Sequence, residues 1–276
     1  MTPDALAALC AAAMPEERLS APELEHLCFG ENEQGDRDEC VGDERGAAVM
    51  QLQRFGEHVA AWLVLAVVHP DHQSRGLGKD LVHAVCDRAR AAGARDVLLA
   101  SAIPRYVWPG VDTANTRAGM LLETLGFERE WVGINMAIPT SFRGPVPDDI
   151  TVEHETGAGA HDFATAAFPH WVPELDRAVQ LGTALAARDA QGRTVGFACH
   201  SVNRAGWIGP MATDPTLQHG GVGSAVLGAL CADLEARGIT TGEISWVSNL
   251  RFYGKCGARV SRVFLGGRRT LTSAGE

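Results

Sequence analysis

The sequence predicts an α/β protein made of two domains of the same kind. One observation is a repeated loop: HPDHQSRGLG at 69–78 and DPTLQHGGVG at 214–223 share a proline, a glutamine and two glycines in one register, 145 positions apart. A second is that each loop follows an apolar run and precedes a segment with the apolar spacing of a helix. A third is the length of 276 residues, which fits about two ordinary domains.

Each repeat is predicted to run as strand, loop, helix and strand. The helices are expected to end at Gly93 and Gly238, because glycine readily forms a left-handed C-terminal cap. Cys86 and Cys231 share the register on the apolar helix face, which indicates small core residues.

The segments around these helices set the predicted domain limits. The apolar runs at 96–101 and 242–247 predict strands. The polar, proline-rich segment at 139–149 predicts a linker. We therefore expect an N-terminal domain over residues 1–140 and a C-terminal domain over 149–276.

Composition narrows the class of protein. A formal net charge of -10 argues against a nucleic-acid partner, and no apolar stretch approaches the roughly 20 residues of a membrane helix. The N-terminal segment predicts an amphipathic helix rather than a signal peptide. Seven cysteines without CxxC spacing argue against a disulfide framework and a zinc ribbon. We expect a cytoplasmic protein without a bound metal, either monomeric or homodimeric.

The repeated loop has the features of an anion site. Two glycines allow a tight turn and a close approach to the backbone, and the following helix begins with N–H groups that lack intrahelical partners. These groups and the helix dipole attract phosphate. Neither loop is a P-loop, and RGLGKDL lacks the third glycine of a dinucleotide fingerprint.

The loop pattern resembles the acyl-CoA signature of the GNAT acyltransferase superfamily. The pattern is Val-x-Pro-x-x-Gln/Arg-x-x-Gly-x-Gly/Ala before a helix, represented by Val68 to Gly78 and, with threonine in first place, by Thr213 to Gly223. The whole chain is similar to tandem GNAT proteins such as mycothiol synthase. The resemblance implies two domains, each with a mixed, mostly antiparallel sheet, a splayed strand pair and flanking helices.

The resemblance also implies acetyl-CoA, or another acyl-CoA, as co-substrate. In the family, the loop amides hold the CoA pyrophosphate and the preceding strand bonds the pantetheine arm through its backbone. Carried over to this chain, the CoA-binding residues are Met211, Ala212, Thr213, Gln218, His219, Gly220, Gly221, Val222, Gly223, Ser224 and Asn249 in the second half, and Val68, Gln73, Ser74, Arg75, Gly76, Leu77, Gly78 and Lys79 in the first.

A late motif distinguishes the two halves. A family tyrosine protonates the departing thiolate, and Tyr253 stands four residues before Gly257 at the family spacing. The first half has Leu122 at the corresponding position before Gly126. A phenol can donate a proton as the C–S bond breaks, whereas leucine cannot. We expect the C-terminal domain to be catalytic and the N-terminal domain to have lost catalysis.

The proton acceptor for the reaction is left open. Glu243, His200 and His170 are the candidates, because the strand before the second loop carries no carboxylate. The acidic segment 31–44 either attracts a cationic amine or is a solvated loop. The insert 105–112 is expected to line the cleft between the domains or to fill it.

These observations predict a CoA-dependent N-acyltransferase that transfers acetyl to the amine of a small molecule or peptide. Two alternatives stay open. One is a non-catalytic acyl-CoA-binding or regulatory module; the other is a GNAT-fold enzyme with different acyl chemistry, such as O-acylation or decarboxylation.

Overall fold

A computed structural model describes residues 1–32, 34–99, 102–217 and 220–271. The chain divides into two compact units: unit 1 comprises Met1–Gly133 and the C-terminal segment from Val263, and unit 2 comprises Ile134–Arg262. Strand β6, Glu128–Pro139, and strand β12, Arg259–Thr270, each contribute residues to both units. The units therefore divide inside two strands, and the linker segment 139–149 belongs to unit 2.

Unit 1 is a mixed sheet with helices on its faces. Its other strands are β1 Glu39–Asp43, β2 Gly46–Phe55, β3 His58–Val68, β4 Asp96–Leu99 and β5 Val111–Asp112. Its helices are α1 Pro3–Ala13, α2 Ala21–Cys28, α3 Leu77–Ala91 and α4 Thr116–Thr124. Strands β1, β2 and β3 are antiparallel, β4 joins β3 in parallel, and β12 joins β4 antiparallel.

Unit 2 has a similar order of elements, but it opens with a strand before its first two helices and, among the described residues, has no counterpart of β5. Its other strands are β7 Thr151–His154, β8 Ala184–Arg188, β9 Thr194–His200, β10 Trp207–Thr213 and β11 Thr241–Ile244. Its helices are α5 Gly159–Ala167, α6 Val172–Leu181, α7 Val222–Ala236 and α8 Leu250–Lys255. Strands β7 to β10 are antiparallel neighbours, β11 joins β10 in parallel, and β6 joins β11 antiparallel.

A pair of strands separates in unit 2. Strand β11 pairs with β10 only at Trp207 and Ile208, although β10 continues to Thr213. The register between β10 and β9 shifts between Ile208 and Met211, which indicates a bulge at the point of separation. The predicted fold class, a mixed and mostly antiparallel sheet with a splayed strand pair and flanking helices, is confirmed.

The helices bury one apolar stripe each against the sheets. In unit 1, α3 packs on one core cluster, and α1 with α2 on another. In unit 2, α7 packs on one cluster, and α5 with α6 on another. Cys86 of α3 and Cys231 of α7 are buried, as their apolar register predicts. Each sheet is therefore covered on both faces, and the functional loops emerge where β3 and β10 end.

Candidate functional site

Unit 2 contains a cavity of about 1070 Å³ where β10 ends and α7 and α8 begin. A cavity of this size exceeds the usual range for a drug-sized ligand, so it can accept a large cofactor. The predicted residues that line it are Met211, Ala212, Thr213, Gly221, Val222, Gly223, Ser224, Asn249 and Tyr253. Folding therefore brings together the strand end, the glycine loop and the late motif.

The loop presents an open helix end to this cavity. Gly221 is the N-cap of α7 with φ of 90°, a left-handed conformation that glycine adopts without strain, and no side chain caps the helix. The first-turn N–H groups of Val222, Gly223 and Ser224 are thus left for a ligand, and the helix dipole favours an anion there. A Cβ added to Gly223 would lie 3.3 Å from the Phe252 ring, so the absent side chain keeps this turn open.

The remaining loop residues have different positions. The N–H of Gly220 donates to the carbonyl of Leu217 at 3.1 Å, so it closes the turn instead of facing a ligand. Gln218 and His219 lie outside the described residues.

Tyr253 lies on α8 against the end of β10. Its hydroxyl is 4.0 Å from the Met211 sulfur. Burial, with a smaller contribution from Cys256, raises the pKa of Tyr253 to about 12, so the phenol keeps its proton throughout the neutral range. Asn249 is the N-cap of α8, and its side-chain oxygen accepts from the N–H of Phe252 at 3.1 Å. Its role here is to begin the helix that carries Tyr253.

Other cavity residues were missed by the sequence analysis. Phe142 and Pro145 belong to the segment assigned as a linker, and Phe168 and Trp171 precede α6. None of these belongs to a motif, so only the tertiary structure reveals them. Arg251 and Lys255 also line the cavity and bring positive charge to it. Each stands two residues from Tyr253 in the sequence, and this spacing could have identified them. The structure adds six residues to the predicted site: Phe142, Pro145, Phe168, Trp171, Arg251 and Lys255.

The three candidate bases lie outside the residues that line the cavity. Glu243 accepts a hydrogen bond from the Asn135 amide at 2.5 Å. His200 is fully buried, with Nε2 2.6 Å from the Asp233 carboxylate and Nδ1 3.0 Å from the Ser201 hydroxyl.

The candidate histidines His200 and His170 have other neighbours in the fold. Burial lowers the pKa of His200 despite the opposing effect of Asp233. His170 packs its ring 4.8 Å from that of Trp171. The structure therefore does not bring these groups into the cavity.

The loop of unit 1 has the same backbone and different surroundings. It follows Val68, and Gly76 caps α3 with the same φ of 90° and no side-chain cap. The Gln73 side chain donates to the carbonyl of Val68 at 3.1 Å and accepts from Arg117 at 3.2 Å, so it braces the loop. The loop continues through Ser74, which has a φ of 61°, to Leu77 and Gly78, with Arg75 and Lys79 exposed to solvent.

Near the late motif, unit 1 is filled by its own side chains. Leu122 is buried in the core, and Leu121 lies 3.2 Å from a Cβ added to Gly78. A cavity of about 190 Å³ lies beside α4, and its lining includes Leu122 and Asn115 but none of residues 74–79. In unit 1 the loop and α4 therefore do not line a common cavity, whereas in unit 2 the loop and α8 do.

The acidic segment 31–44 is engaged within unit 1. The Asp38 carboxylate is buried and binds the Arg105 guanidinium at 2.5 and 3.0 Å. Burial raises the pKa of Asp38, against the Arg105 charge, which lowers it. Asp36 binds Arg54 at 2.7 Å, which lowers its pKa. The hypothesis that this segment attracts a cationic amine is thus not supported, because arginines of the same unit already compensate these two carboxylates.

The insert 105–112 packs against the helices of unit 1. Arg105 also donates to the carbonyl of His26 at 3.2 Å, at the end of α2. The Trp108 indole donates to Glu17 at 3.2 Å. Val107 is fully buried in the cluster under α1 and α2. The insert therefore helps to fill the helical side of unit 1.

Metal and membrane features were also sought. Among residues 1–32, 34–99, 102–217 and 220–271, no group of three or more His, Cys, Asp or Glu side chains could hold a metal ion. The seven cysteines, all within the described ranges, form no disulfide bond. Within the same described ranges, the helices are too short or too polar to cross a bilayer.

Comparison with known proteins identifies the family. Residues 15–127 and 152–258 each match the acetyltransferase (GNAT) family. The chain belongs to the GNAT acetyltransferase family. Since the family match occurs twice and each match falls largely in one unit, the chain is a tandem GNAT protein. No curated protein sequence matches it significantly.

Three solved structures share the fold of this GNAT protein. A GCN5-related glucosamine N-acetyltransferase region of a fungal multi-domain GH3 β-N-acetylglucosaminidase has a TM-score of 0.71 and 20% identity, over 96% of this chain and 36% of that one. This chain therefore spans about a third of the fungal protein. A GCN5-related N-acetyltransferase from Sphaerobacter thermophilus has a TM-score of 0.63 and 19% identity, over 98% and 93%. A tandem GNAT protein from the clavulanic acid biosynthesis pathway has a TM-score of 0.67 and 12% identity, over 99% and 98%.

Proposed function

We propose that unit 2 is an acetyl-CoA-dependent N-acyltransferase that acts on an amine of a small molecule or peptide. One observation carries the proposal: a single cavity joins an uncapped helix N-terminus, the free end of a splayed strand and the half-buried phenol of Tyr253. An anion site, an edge of backbone groups and a proton donor are the parts that a thioester transfer requires.

The cavity has separate places for the parts of CoA. The N–H groups of Val222, Gly223 and Ser224 would hold the pyrophosphate, with Arg251 and Lys255 as nearby cations. The backbone of β10 from Met211 to Thr213 would pair with the pantetheine amides, because β11 leaves this edge of β10 unpaired. CoA supplies the activated acyl group as a thioester when bound.

The chemistry then depends on position and on two proton transfers. The nitrogen of the neutral amine forms a C–N bond with the thioester carbon, the C–S bond breaks, and the nitrogen loses a proton to solvent, from which Tyr253 is reprotonated. Tyr253 donates its proton to the leaving sulfur, whose thiol has a pKa near 8.5 in water. Holding both reactants in one cavity contributes the larger part of the rate, through orientation.

A second function is favoured for unit 1. Its loop keeps the left-handed Gly76 and the uncapped helix, whereas Leu122 occupies the position of the proton donor. We propose that unit 1 either binds acyl-CoA without catalysing its reaction or only stabilises the fold. We also expect the protein to be cytoplasmic, monomeric or homodimeric, and without a nucleic-acid or membrane partner, because its net charge is -10 and its seven cysteines lack the spacing of a disulfide framework.

A matched pair of variants tests the assignment of the CoA site. Gly223 and Gly78 both lie in the first turn of a helix, where aspartate is a favourable residue for folding. In Gly223→Asp the new carboxylate repels the pyrophosphate and contacts Phe252, so we expect acetyl-CoA affinity, measured by calorimetry, and thiol release with an amine panel both to fall more than tenfold. Gly78→Asp should leave thiol release nearly unchanged.

A loss of thiol release in Gly78→Asp, with normal thiol release in Gly223→Asp, would assign the activity to unit 1. Unchanged acetyl-CoA binding in a folded Gly223→Asp protein would contradict the proposed site. Thiol release with no amine, despite acetyl-CoA binding, would instead favour a binding or regulatory module.

A further inference from the structure

Two aromatic rings lie on the wall of the unit 2 cavity, in the turn between α5 and α6. Phe168 and Trp171 both line the cavity, and their rings stack with centroids 5.3 Å apart and planes inclined by 21°. Both side chains are only half-buried, so part of each ring is open to a ligand. The turn therefore supplies an aromatic surface inside the cavity, to which a planar apolar group can bind.

Packing beneath the turn fixes the position of these rings. The Phe163 ring of α5 lies 5.9 Å from that of Phe168 and 6.2 Å from that of Phe197 on β9. Phe197 is fully buried and pairs with Ala212 of β10, which lines the cavity beside Met211. Because these packed rings connect the turn to the end of β10, the aromatic surface lies next to the strand that would bind the pantetheine arm.

The cavity is lined from both faces of the sheet in unit 2. Phe252 and Tyr253 pack on the core cluster that α7 covers. Phe168 and Trp171 pack on the cluster that α5 and α6 cover. Since one cavity includes residues from both clusters, it passes through the gap where β11 separates from β10. With CoA on the face of the glycine loop and Tyr253, an acceptor would reach the thioester from the face of α5 and α6.

The charged side chains of the cavity lie on the CoA side. Among the described residues, the charged groups on the cavity wall are Arg251 and Lys255 of α8, and no carboxylate lines it. An alkylammonium group would lose its hydration there without an opposite charge, and the two cations would repel it. Contact with a ring face recovers only part of that cost. The lining therefore favours an uncharged nucleophile that carries a flat apolar group.

We propose that the acceptor in unit 2 is a neutral aromatic amine, with its ring against Phe168 and Trp171 and its nitrogen at the thioester. This inference rests on the proposed acyl transfer, and it deepens that function by naming the class of acceptor and two residues that select it. The nitrogen lone pair of an aromatic amine is delocalised into the ring, so the amine is uncharged at neutral pH. No side chain then has to deprotonate it before the attack, which agrees with the positions of Glu243, His200 and His170 outside the cavity lining.

The protons balance in this reaction without a side-chain base. The amine nitrogen attacks the thioester carbon, and a C–N bond forms as the C–S bond breaks. Tyr253 gives its proton to the sulfur, the nitrogen loses a proton to solvent, and solvent reprotonates Tyr253. The products are the aromatic amide and the free thiol of CoA, with no net release of protons.

The test compares three amines of similar size in the full-length protein at pH 7. Aniline has an aromatic ring and a neutral nitrogen, benzylamine has the ring with a cationic nitrogen, and cyclohexylamine has neither the ring nor the neutral nitrogen. Thiol release from acetyl-CoA gives kcat and KM, and thermal stabilisation reports amine binding. We expect kcat/KM to be highest for aniline and aniline to stabilise the protein most.

Variants at the aromatic surface test the contact itself. Trp171→Leu keeps an apolar side chain but removes the ring, so KM for aniline should rise about tenfold while kcat stays within twofold. Trp171→Phe should restore most of the loss, and Phe168→Leu should raise the same KM in an independent variant. Acetyl-CoA affinity should be unchanged in all three. Trp108→Leu, at a half-buried tryptophan of unit 1, is the matched control and should keep the wild-type KM.

The outcomes separate this inference from the acyltransferase proposal. A higher kcat/KM for benzylamine or cyclohexylamine than for aniline would overturn the inference and leave acyl transfer intact. Trp171-dependent stabilisation by aniline without any thiol release would support the aromatic site and contradict acyl transfer. An unchanged KM for aniline in Trp171→Leu, with a raised KM for benzoyl-CoA relative to acetyl-CoA, would place the acyl group at the rings and overturn the inference. A wild-type protein that neither binds nor acetylates aniline would also overturn it.

Discussion

The two units share a loop and differ in what surrounds it. Gly76 and Gly221 have the same φ of 90°, and each begins a helix without a side-chain cap. Beside α8 lies a cavity of about 1070 Å³ with Tyr253 on its wall, whereas the cavity beside α4 measures about 190 Å³ and is lined by Leu122. The comparison teaches that two loops with the same backbone geometry can belong to units with cavities of very different size and lining.

A second contrast concerns the helices on the opposite face of each sheet. In unit 1, Glu23 caps its own helix and Asp38 binds Arg105, so the unit satisfies its carboxylates internally. In unit 2, Glu174 is buried with no such compensation. Burial instead raises the pKa of Glu174 to about 8, so its carboxyl group is mostly protonated at neutral pH.

The largest expected effect is that of Tyr253→Phe on turnover. Removal of a general acid typically costs on the order of 10²–10⁴ in rate, so kcat for thiol release should fall by that factor. Acetyl-CoA affinity by calorimetry should be unchanged, because the ring still packs against Met211. A Tyr253→Phe protein with wild-type kcat would show that unit 2 does not differ from unit 1 in this respect.

The next effect is on the stability of unit 1. Arg105→Leu removes the partner of the buried Asp38 carboxylate and should lower the free energy of unfolding by about 3–5 kcal/mol, measured by urea unfolding at pH 8. Arg54→Leu breaks the more exposed pair with Asp36 and serves as the control, with a much smaller expected loss of stability. Equal losses in the two variants would contradict the reading of the Arg105 pair as a buried one.

A smaller effect is the pH dependence contributed by Glu174. Its pKa is raised from 4.5 to about 8 on folding, so between these values the folded state binds more protons than the unfolded state. The contribution of Glu174 to the free energy of unfolding should therefore be largest below pH 4.5. It should fall as the pH rises to about 8. At about 1.4 kcal/mol per pKa unit, the fall amounts to a few kcal/mol.

Glu174→Gln should remove this fall, so that the variant gains stability relative to wild type between pH 5 and pH 8. Thermal unfolding of the variant and the wild type across that range measures the difference. Parallel curves for wild type and Glu174→Gln would mean that the carboxyl is not protonated in the folded protein.

The smallest expected effect is that of Leu122→Tyr on turnover. The substitution restores a phenol in unit 1, but the cavity beside α4 is small and includes none of the loop residues 74–79. Thiol release should stay within twofold of wild type, while overpacking of the buried site should cost about 1–3 kcal/mol of stability. A marked gain in thiol release would show that the units differ by this side chain alone.

Much of the site could be predicted because it depends on local backbone chemistry. Gly221 and Gly223 stand where a left-handed cap and an open first turn are needed, and these requirements concern neighbours in the chain. The candidate bases fared differently. Whether His200 faces a ligand or an ion-pair partner such as Asp233 depends on two elements 33 positions apart in the chain, and no spacing rule describes that.

By itself, the sequence determined the duplication, the main order of strands and helices, the two glycine loops and the contrast between Leu122 and Tyr253. These features follow from periodicity, glycine positions and side-chain chemistry, all of which act over a few residues. Only the tertiary structure decided that β6 and β12 each divide between the units, that Arg105 compensates Asp38, and that Glu174 is buried without a partner. The physical reason is that burial and charge compensation are set by side chains that are distant in the chain and meet only on folding.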